Sequence, residues 1–402
     1  MKRMGLSERG QALILIALAA IGLFGFAALA IDGSAAFSDR AHAQNAADTA
    51  ALAAALTKIR GGDWGQSGLD RAEDNGYLND GQASIVHVHC PPENGPYAGD
   101  DEYLEVIIES TIQTTFGRVV GINQVRNRVE AVTHVEPPKR APLYSGAAMV
   151  ALKPDGRGAF RSHGTNATSV IGSGIFVNSK DDCAFEQVGN SEIDTLAGIQ
   201  IVGKACLHGS ITPANAITPG ARPVSYPPAN LPPEPSCTQD AVQSGSMLSP
   251  GNWDGTFPPR GVTLLQPGIY CVDGMFMVNA HDTLTGNGVL IYMRSGNVHW
   301  DGNAQINLTA PTSGPYAGLL LYLPMSNDEG VIINGNSDSS FVGTFLAPAS
   351  DIQINGTAGV AGYRSQIIGY TIDLIGTADM LVNYNQSENL IVDFPALLEL
   401  VE

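Results

Sequence analysis

Carboxylates are the side chains in this sequence with the clearest potential for chemistry. The 402-residue chain holds 39 Asp and Glu against 21 Lys and Arg, which gives a net charge of −18. A pair of carboxylates can cleave a glycosidic bond, one acting as the acid and the other as the base or nucleophile. The candidates, all in the second half of the chain, are Asp273, Asp282, Asp301, Asp351, Asp373 and Asp379.

The surroundings of these aspartates favour a non-catalytic role. Most of them lie beside turns, where Asp commonly bonds to nearby backbone. Residues 143–402 contain only nine Lys and Arg, and Arg294 and Arg364 are isolated there, so an acidic sugar would find little positive charge. The sequence also has no Gly-Lys-Ser/Thr phosphate loop, no Gly-x-Ser-x-Gly elbow and no His-Glu-x-x-His motif. We therefore expect that the protein is not an enzyme.

His87 and His89 form the one pair of side chains spaced like metal ligands in the first half. They share a face of an alternating strand, whereas Cys90 points to the opposite face. A zinc site needs about four ligands, and no carboxylate or thiol is evident beside the two rings. We expect no metal and no cofactor. The acidic excess also excludes nucleic acid as the main partner, because phosphate binding needs a basic surface.

Five cysteines raise the question of disulfides. An odd number leaves at least one thiol unpaired, and Cys90 is alone in its part of the chain. Sequence order suggests bridges between Cys183 and Cys206 and between Cys237 and Cys271. Spacing does not determine connectivity, so crossed pairing and four free thiols remain open.

An apolar run at residues 12–31 predicts a membrane-spanning helix. It contains no charged residue, and its length as a helix is about 30 Å, the thickness of a bilayer's hydrocarbon core. Three basic residues precede the run and Asp32 follows it, which predicts a cytoplasmic N-terminus and an exterior location for the rest. Ala28-Leu29-Ala30 has the form of a signal-cleavage site, but the run is longer than the about 7–15 residues of a signal peptide's apolar region. We therefore expect a retained anchor.

Residues 32–60 predict that the helix continues outside the membrane as a stalk. They are rich in alanine, the best helix former, and end at Gly61-Gly62. Small residues at helical spacing allow a sheet or a neighbouring chain to approach closely. The stripe consists of Ala43, Ala47, Ala50 and Ala54.

Four sequence elements surround the apolar run in a set order: Arg9-Gly10-Gln11, Ile31-Asp32-Gly33, Arg40 and Gln44–Ala55. In this combination the N-terminal segment resembles that of TadG-like proteins of the Tad (Flp) pilus-assembly systems. The resemblance continues more weakly to about Pro137. It implies a membrane-anchored structural or assembly component of a pilus or envelope appendage. The implied partners are the lipid bilayer and other pilus-assembly or pilin-like subunits.

The sequence departs from this family's relatives in two respects. A prepilin-peptidase site would need Glu five residues after Gly10, where Leu15 stands, so we expect no prepilin processing. Some TadG-like proteins carry a von Willebrand type A domain with an Asp-x-Ser-x-Ser metal motif. No stretch of this sequence fits that motif, so we expect that domain to be absent.

Residues 61–136 predict a small α/β unit whose layout is similar to that of pilin-like proteins. Residues 69–77 have helical periodicity, and three alternating segments predict a three-stranded sheet. The segments are Ser84–Cys90, Tyr103–Thr114 and Val125–Val135. Residues 137–142, rich in proline, predict a linker.

Residues 143–402 predict a right-handed parallel β-helix. Ile333-Asn334-Gly335 recurs as Ile354-Asn355-Gly356 and as Leu374-Ile375-Gly376, spacings that suit one coil of a solenoid. The competing fold is a β-sandwich, whose hairpins would recur about every 8–12 residues. Eight of the 24 prolines lie at residues 212–235, which predicts an extended crossing or a surface excursion.

The expected organisation is therefore an α+β N-terminal part followed by an all-β solenoid. It comprises a cytoplasmic tail (1–11), a transmembrane helix (12–31), a stalk helix (32–60), the α/β unit (61–136), a linker (137–142) and the β-helix domain (143–402). The expected function is structural or assembly work on a Tad-type appendage at the cell membrane. The two alternatives are a membrane-anchored carbohydrate-active enzyme and an adhesin whose β-helix binds a cell-surface glycan.

Overall fold

The computed structural model describes residues 8–334, 339–356, 363–376 and 380–401. It divides the chain into two compact units. The first comprises Met1–Lys139 with Pro395–Glu402, and the second comprises Arg140–Phe394.

The first unit begins with one very long helix. Its 52 residues correspond to about 78 Å at 1.5 Å per residue. A second, short helix follows, and Asp63 caps it by accepting a hydrogen bond from the Gln66 amide at 3.0 Å. The elements in chain order are α1 (Glu8–Ile59), α2 (Trp64–Asp74), β1 (Ser84–His89), β2 (Tyr103–Gln113), a 3₁₀ turn (Gly117–Val120) and β3 (Gln124–Glu136).

The outer half of α1 packs on an antiparallel sheet made by β1, β2 and β3. The predicted alanine stripe is the contact face, since all four alanines are completely buried. Small side chains allow the helix to lie close to the branched residues of the sheet. Those residues are Val86, Leu104, Val106, Ile108, Val129 and Val135.

The second unit is a parallel β-solenoid of about ten coils, which confirms the predicted fold class and excludes the sandwich. The strands before the proline-rich segment are β4 (Lys139–Pro142), β5 (Met149–Ala151), β6 (Phe160–Gly164), β7 (Ala167–Ile171), β8 (Ile175–Val177), β9 (Phe185–Gly189), β10 (Glu192–Thr195), β11 (Ile199–Ile201), β12 (Ala205–Leu207), β13 (Ser210–Thr212) and β14 (Ile217–Pro219).

The remaining strands of the second unit come after that segment. They are β15 (Gln243–Ser244), β16 (Met247–Leu248), β17 (Gly251–Asp254), β18 (Leu264–Leu265), β19 (Gly268–Asp273), β20 (Phe276–Val278), β21 (Thr283–Asn287), β22 (Val289–Ser295), β23 (Val298–Trp300), β24 (Gln305–Thr309), β25 (Leu319–Tyr322), β26 (Val331–Asn334), β27 (Ser340–Val342), β28 (Thr344–Gly356), β29 (Tyr363–Arg364), β30 (Ile367–Gly376), β31 (Met380–Asn383) and β32 (Ile391–Phe394).

The repeats seen in the sequence stack in register. Ile333 pairs with Ile354, and Ile354 with Leu374, across adjacent parallel strands. The Asn355 side-chain amide donates to the Asn334 side-chain oxygen at 2.6 Å, so the repeated asparagines also stack on each other. Gly335 lies outside the described residues. The repeat is therefore the period of one coil, as predicted.

The coils do not stack in simple chain order. From β5 the chain winds toward β14, and it starts again at β17, at the opposite end of the sheet. It then winds back until β30 pairs in parallel with β5 and β6. The first and last coils of the sequence therefore meet in the middle of the solenoid.

The proline-rich segment connects the two ends by running across several coils. Asn178 exchanges two hydrogen bonds with the Val224 backbone, at 2.9 and 3.1 Å. Farther along, the Tyr292 hydroxyl donates to Glu234 at 2.7 Å. The segment runs as an extended crossing, and β13 and β14 show that the predicted range begins while the chain is still coiling. We call residues 220–240 the strap.

A ladder of charged side chains crosses the place where the two halves meet. Asp373 on β30 pairs in register with Arg161 on β6, and Arg161 pairs with Glu186 on β9. The Glu186 carboxylate is 6% exposed and lies 2.6 Å from Arg157 Nη2 and 3.2 Å from Arg161 Nε. The hydrogen bond from Arg157 holds the pKa of Glu186 below its ordinary value of 4.5, against the opposing effect of burial.

We expect the substitution Glu186→Gln to destabilise the solenoid in a pH-dependent way. Because the folded-state pKa of Glu186 is depressed, its contribution is present above about pH 4.5 and is lost as the pH falls through the folded-state pKa. At pH 7 the loss of charged hydrogen bonds should cost about 2 kcal/mol. Thermal unfolding of both proteins should show a difference at pH 7 that shrinks below pH 4.5. Glu192→Gln, at an exposed site, is the control; a difference that stays constant with pH would contradict this assignment.

The end of the chain returns to the first unit. The last strand, β33 (Leu397–Val401), pairs antiparallel with β3 and makes the predicted three-stranded sheet four-stranded. These residues were expected in the C-terminal β-helix, and the predicted linker contains β4, which pairs with β32. Both pairings join segments more than 200 residues apart, which no local pattern encodes.

Candidate functional site

The apolar stretch of α1 is exposed over most of residues 15–31. The helix contains an 18-residue window with a mean hydropathy of 2.3, and none of that window is buried in the protein. Leu18, Leu23 and Phe24 are each more than 60% exposed. By length and composition this segment could cross a membrane. Farther along, α1 becomes the buried alanine face, so one uninterrupted helix joins an exposed apolar half to a packed half.

Asp32 stands at the boundary between the two halves and binds the loop that joins β2 to β3. Its carboxylate accepts hydrogen bonds from three consecutive backbone amides, those of Thr115 at 2.8 Å, Phe116 at 3.0 Å and Gly117 at 2.6 Å. Those amides point outward at the beginning of the 3₁₀ turn and would otherwise lack partners. Asp32 therefore fixes this loop against the helix.

Asp39, two turns farther along α1, binds polar groups from β2, from β3 and from the segment that follows α2. Its carboxylate accepts hydrogen bonds from Ser110 on β2, from Asn127 on β3 at 2.8 Å and from Tyr77 at 3.2 Å. Burial, together with the neighbouring Asp39 carboxylate, raises the pKa of the Tyr77 phenol to about 12, so Tyr77 remains a donor at any physiological pH. Sequence reasoning missed this network, because an acidic residue on a helix surface is normally solvated.

Gln44 makes the third polar link between α1 and the sheet. Its side-chain amide donates to the Glu130 carbonyl on β3 and to the Asp48 carboxylate, both at 2.9 Å. Thr49, one turn later, accepts a hydrogen bond from Asn75 at 3.2 Å. The polar residues of this stretch therefore fix the helix in position while the alanines provide the close contact.

An apolar groove lies beside the Asp32 contact. One wall is the face of α1 that contains Ile21, Phe24 and Leu29, and the other is the β2–β3 loop with Val119 and Ile122. Both walls belong to the first unit.

These contacts map onto a known family segment. Residues 10–57 match the family model described as Tad, Flp pilus-assembly TadE/G-like. The match covers 48 of the 402 residues and confirms the resemblance for the N-terminal segment. No curated protein and no solved structure matched the chain. We call residues 10–57 the TadE/G-like segment.

The TadE/G-like segment contains the residues that hold α1 to its sheet. Asp32, from the Ile31-Asp32-Gly33 element, binds the loop, and Gln44, which opens the Gln44–Ala55 element, binds β3. Alanines of the same element form the buried face. The polar and small residues that carry the resemblance thus serve the junction between the apolar helix and the domain that follows it.

The structure joins four of the five cysteines. Cys183 and Cys206 form one disulfide, with a Cα–Cα distance of 5.0 Å, and Cys237 and Cys271 form the other, at 6.1 Å. The second bridge attaches the end of the strap to β19. Cys90 is a free thiol, and Lys58 Nζ lies 2.8 Å from its sulfur.

We predict that non-reducing peptide mapping of the membrane-extracted protein will recover these two disulfide-linked pairs and an unmodified Cys90. Each bridge should stabilise the solenoid by about 2–4 kcal/mol, so a reductant should lower its unfolding midpoint. Cys90→Ser, which removes no bridge, is the control for effects of thiol substitution. A bridge that includes Cys90, or four free thiols in the solenoid, would contradict the assignment.

The aspartates considered for glycoside chemistry contact neutral or basic partners. Asp273 binds Arg294, and Asp351 accepts a hydrogen bond from Thr371 at 2.6 Å. Asp379 lies outside the described residues. Asp282 contacts Asn279 at 3.1 Å, Asp301 contacts His299 at 3.2 Å and Asp373 contacts His163 at 2.9 Å. The contact between Asp373 and His163 lacks hydrogen-bond geometry. Burial raises the pKa of Asp373 and the nearby His163 opposes that rise.

His89 has a carboxylate neighbour that the sequence did not suggest. Glu105 pairs with it across β1 and β2, and the Glu105 carboxylate lies 3.1 Å from His89 Nδ1. Glu105 is fully buried. Strand alternation assigns a residue to one face of the sheet but does not show whether that face is covered, and at Glu105 it is covered.

Another cluster, elsewhere in the same sheet, has the composition of a metal site. Among the described residues, Glu102, His134 and Glu136 place one ligand atom each within 4.8 Å of one another. Lys139 Nζ lies 2.8 Å from the Glu136 carboxylate and already neutralises it. The geometry is therefore that of a surface ion-pair network.

Proposed function

We propose that this chain is a membrane-anchored structural component of a Tad (Flp)-type pilus or a related envelope appendage, and that it works without catalysing a reaction. The observation that carries the proposal is the continuity of α1 through the TadE/G-like segment. The same helix offers an exposed apolar stretch long enough for a bilayer and then packs tightly into a folded domain.

The charges around the apolar stretch support a cytoplasmic N-terminus. Lys2, Arg3 and Arg9 precede it, and Asp32 follows it. The solenoid would then lie outside the cytoplasm, where its two disulfides would persist. The strongly acidic composition favours solubility there and disfavours non-specific adhesion to anionic surfaces.

Other subunits of the appendage are the expected partners. Phe37, on the part of α1 between the apolar stretch and the buried face, is 76% exposed. A large apolar side chain in that position could pack against the stalk of a pilin-like neighbour. The engagement of each described candidate aspartate by a neutral or basic group supports a non-catalytic role for the solenoid.

Deletion of the gene from its native cells tests this function. We expect loss of assembled pili in electron micrographs, and restoration by the full chain. Pili that persist while attachment to glycan-bearing surfaces is lost would instead indicate an adhesin. Intact pili with loss of polysaccharide cleavage, restored by the wild type but not by an Asp373→Asn chain, would indicate an enzyme. Either of the last two results would contradict the structural role.

A further inference from the structure

The β2–β3 loop, residues 114–123, is an exposed apolar projection beside the end of the predicted membrane span. Val119 is 88% exposed, Ile122 is 54% exposed and Phe116 is 42% exposed. Single exposed apolar residues are normal on protein surfaces, but three on one short loop form a patch that points to a partner.

The neighbours of this patch identify the environment in which it lies. Phe116, Val119 and Ile122 line one wall of the groove, and Phe24 and Leu29 of α1 line the other. Phe24 and Leu29 belong to the stretch that must lie in lipid if α1 crosses the membrane. The loop side chains face Phe24 and Leu29 across the groove, so they lie at a similar position along the membrane normal. If α1 crosses the bilayer, the loop therefore reaches the outer part of that bilayer.

The backbone of the loop suits such an environment. Unpaired backbone groups are costly in a medium without water, so irregular segments rarely enter lipid. Here the amides of residues 115–117 all donate to Asp32. The Ile122 amide donates to the Gly117 carbonyl at 2.9 Å, and the Gly121 amide donates to the Arg118 backbone carbonyl at 3.1 Å. The loop therefore presents apolar side chains while its polar backbone is largely satisfied.

The conformation of the loop is also well defined. Gly121 has φ of +86°, a value that side chains other than glycine rarely allow. A Cβ on Gly117 would lie 2.9 Å from the Ile122 carbonyl oxygen. Arg118 is exposed between the apolar residues, where a guanidinium can pair with lipid phosphate.

We propose that the β2–β3 loop is a second membrane contact, in which Phe116, Val119 and Ile122 insert into the outer leaflet beside α1. The occupant of the groove is thus lipid acyl chain. The loop and α1 together hold the sheet at a set height and orientation on the membrane, which a single helix does not achieve. This inference rests on the anchoring part of the proposed function.

The test uses the full-length protein reconstituted into phosphatidylcholine vesicles. A polarity-sensitive fluorophore is attached to Val119→Cys in a Cys90→Ser background, so that the label reacts at one free thiol. Lipids carrying a quencher near the headgroup, or deep in the acyl chain, then report the depth of the label. Leu23→Cys is the positive control for the span. Ala98→Cys is the water-exposed control. Ala98 is exposed, and its loop contacts Lys58, which lies at the opposite end of α1 from the predicted span.

We expect the Val119 label to show blue-shifted emission and quenching by the shallow quencher. The Leu23 label should be quenched most by the deep quencher, and the Ala98 label by neither. Quenching at Leu23 but not at Val119 would overturn the loop contact and leave the anchor intact. A blue shift at Val119 without lipid quenching would show that another protein segment covers the groove, which also overturns the proposal. Absence of quenching at Leu23 would refute the anchor itself.

Discussion

Two arginines placed in the apolar half of α1 should release the protein from the membrane. Leu18→Arg and Leu23→Arg lie within residues 12–31, and each arginine near the centre of a spanning helix costs about 2.5–3.5 kcal/mol of insertion free energy. Together they outweigh much of the gain from the remaining apolar residues. We expect most of the wild-type chain, and little of the double variant, to remain in membranes after alkaline carbonate extraction.

Phe37→Arg provides the matched control for this experiment. Phe37 lies on the same helix and is as exposed as Leu23, but it is about 9 Å beyond the predicted end of the span. This variant should stay in the membrane fraction. Retention of the double variant would show that another part of the chain anchors the protein, and release of Phe37→Arg would show that the limits of the span are wrong.

Replacing Trp300 should strongly destabilise the solenoid. Trp300 is 1% exposed and lies within an internal column of rings, 5.2 Å from Phe276 and 5.0 Å from Phe341 between centroids. Trp300→Ala would leave a large cavity, since the stacked coils on both sides fix the surrounding backbone. Truncations of this kind cost about 3–5 kcal/mol.

Urea unfolding of the full chain in detergent, followed by circular dichroism, measures this loss. Trp253→Ala is the control, because Trp253 is only partly buried and packs at the edge of the same core. The Trp300 variant should unfold at a clearly lower urea concentration than the Trp253 variant. Equal midpoints would contradict the internal ring column and the coil register that creates it.

The sequence predicted those parts of the fold in which residues of one type recur at a regular spacing along the chain. The alanine stripe follows the helical repeat, and the recurrence of Ile333-Asn334 as Ile354-Asn355 follows the coil. The return of the second half to the first was not predictable in this way. It depends on the pairing of Ile367 with Met149. Both residues are apolar, and the sequence around either one does not indicate the other as its partner.

The site was predictable only in outline. The resemblance drew attention to Asp32 and Gln44, but their roles depend on amides and carbonyls of β3 and its preceding loop, more than 80 residues later in the chain. Glu105 shows the same limitation, since alternation placed it on a face but did not show that the face is covered. Periodicity describes an element, whereas burial depends on what packs against it.

The mature N-terminus is the most direct test of the central claim, which is that α1 remains one continuous helix from the membrane into the folded domain. N-terminal sequencing of protein extracted from native membranes measures it. We predict that the sequence begins at or near Met1, with residues 12–31 retained. A mature protein that begins at Ile31, after Ala28-Leu29-Ala30, would show that the apolar stretch is a cleaved signal and would contradict the anchor.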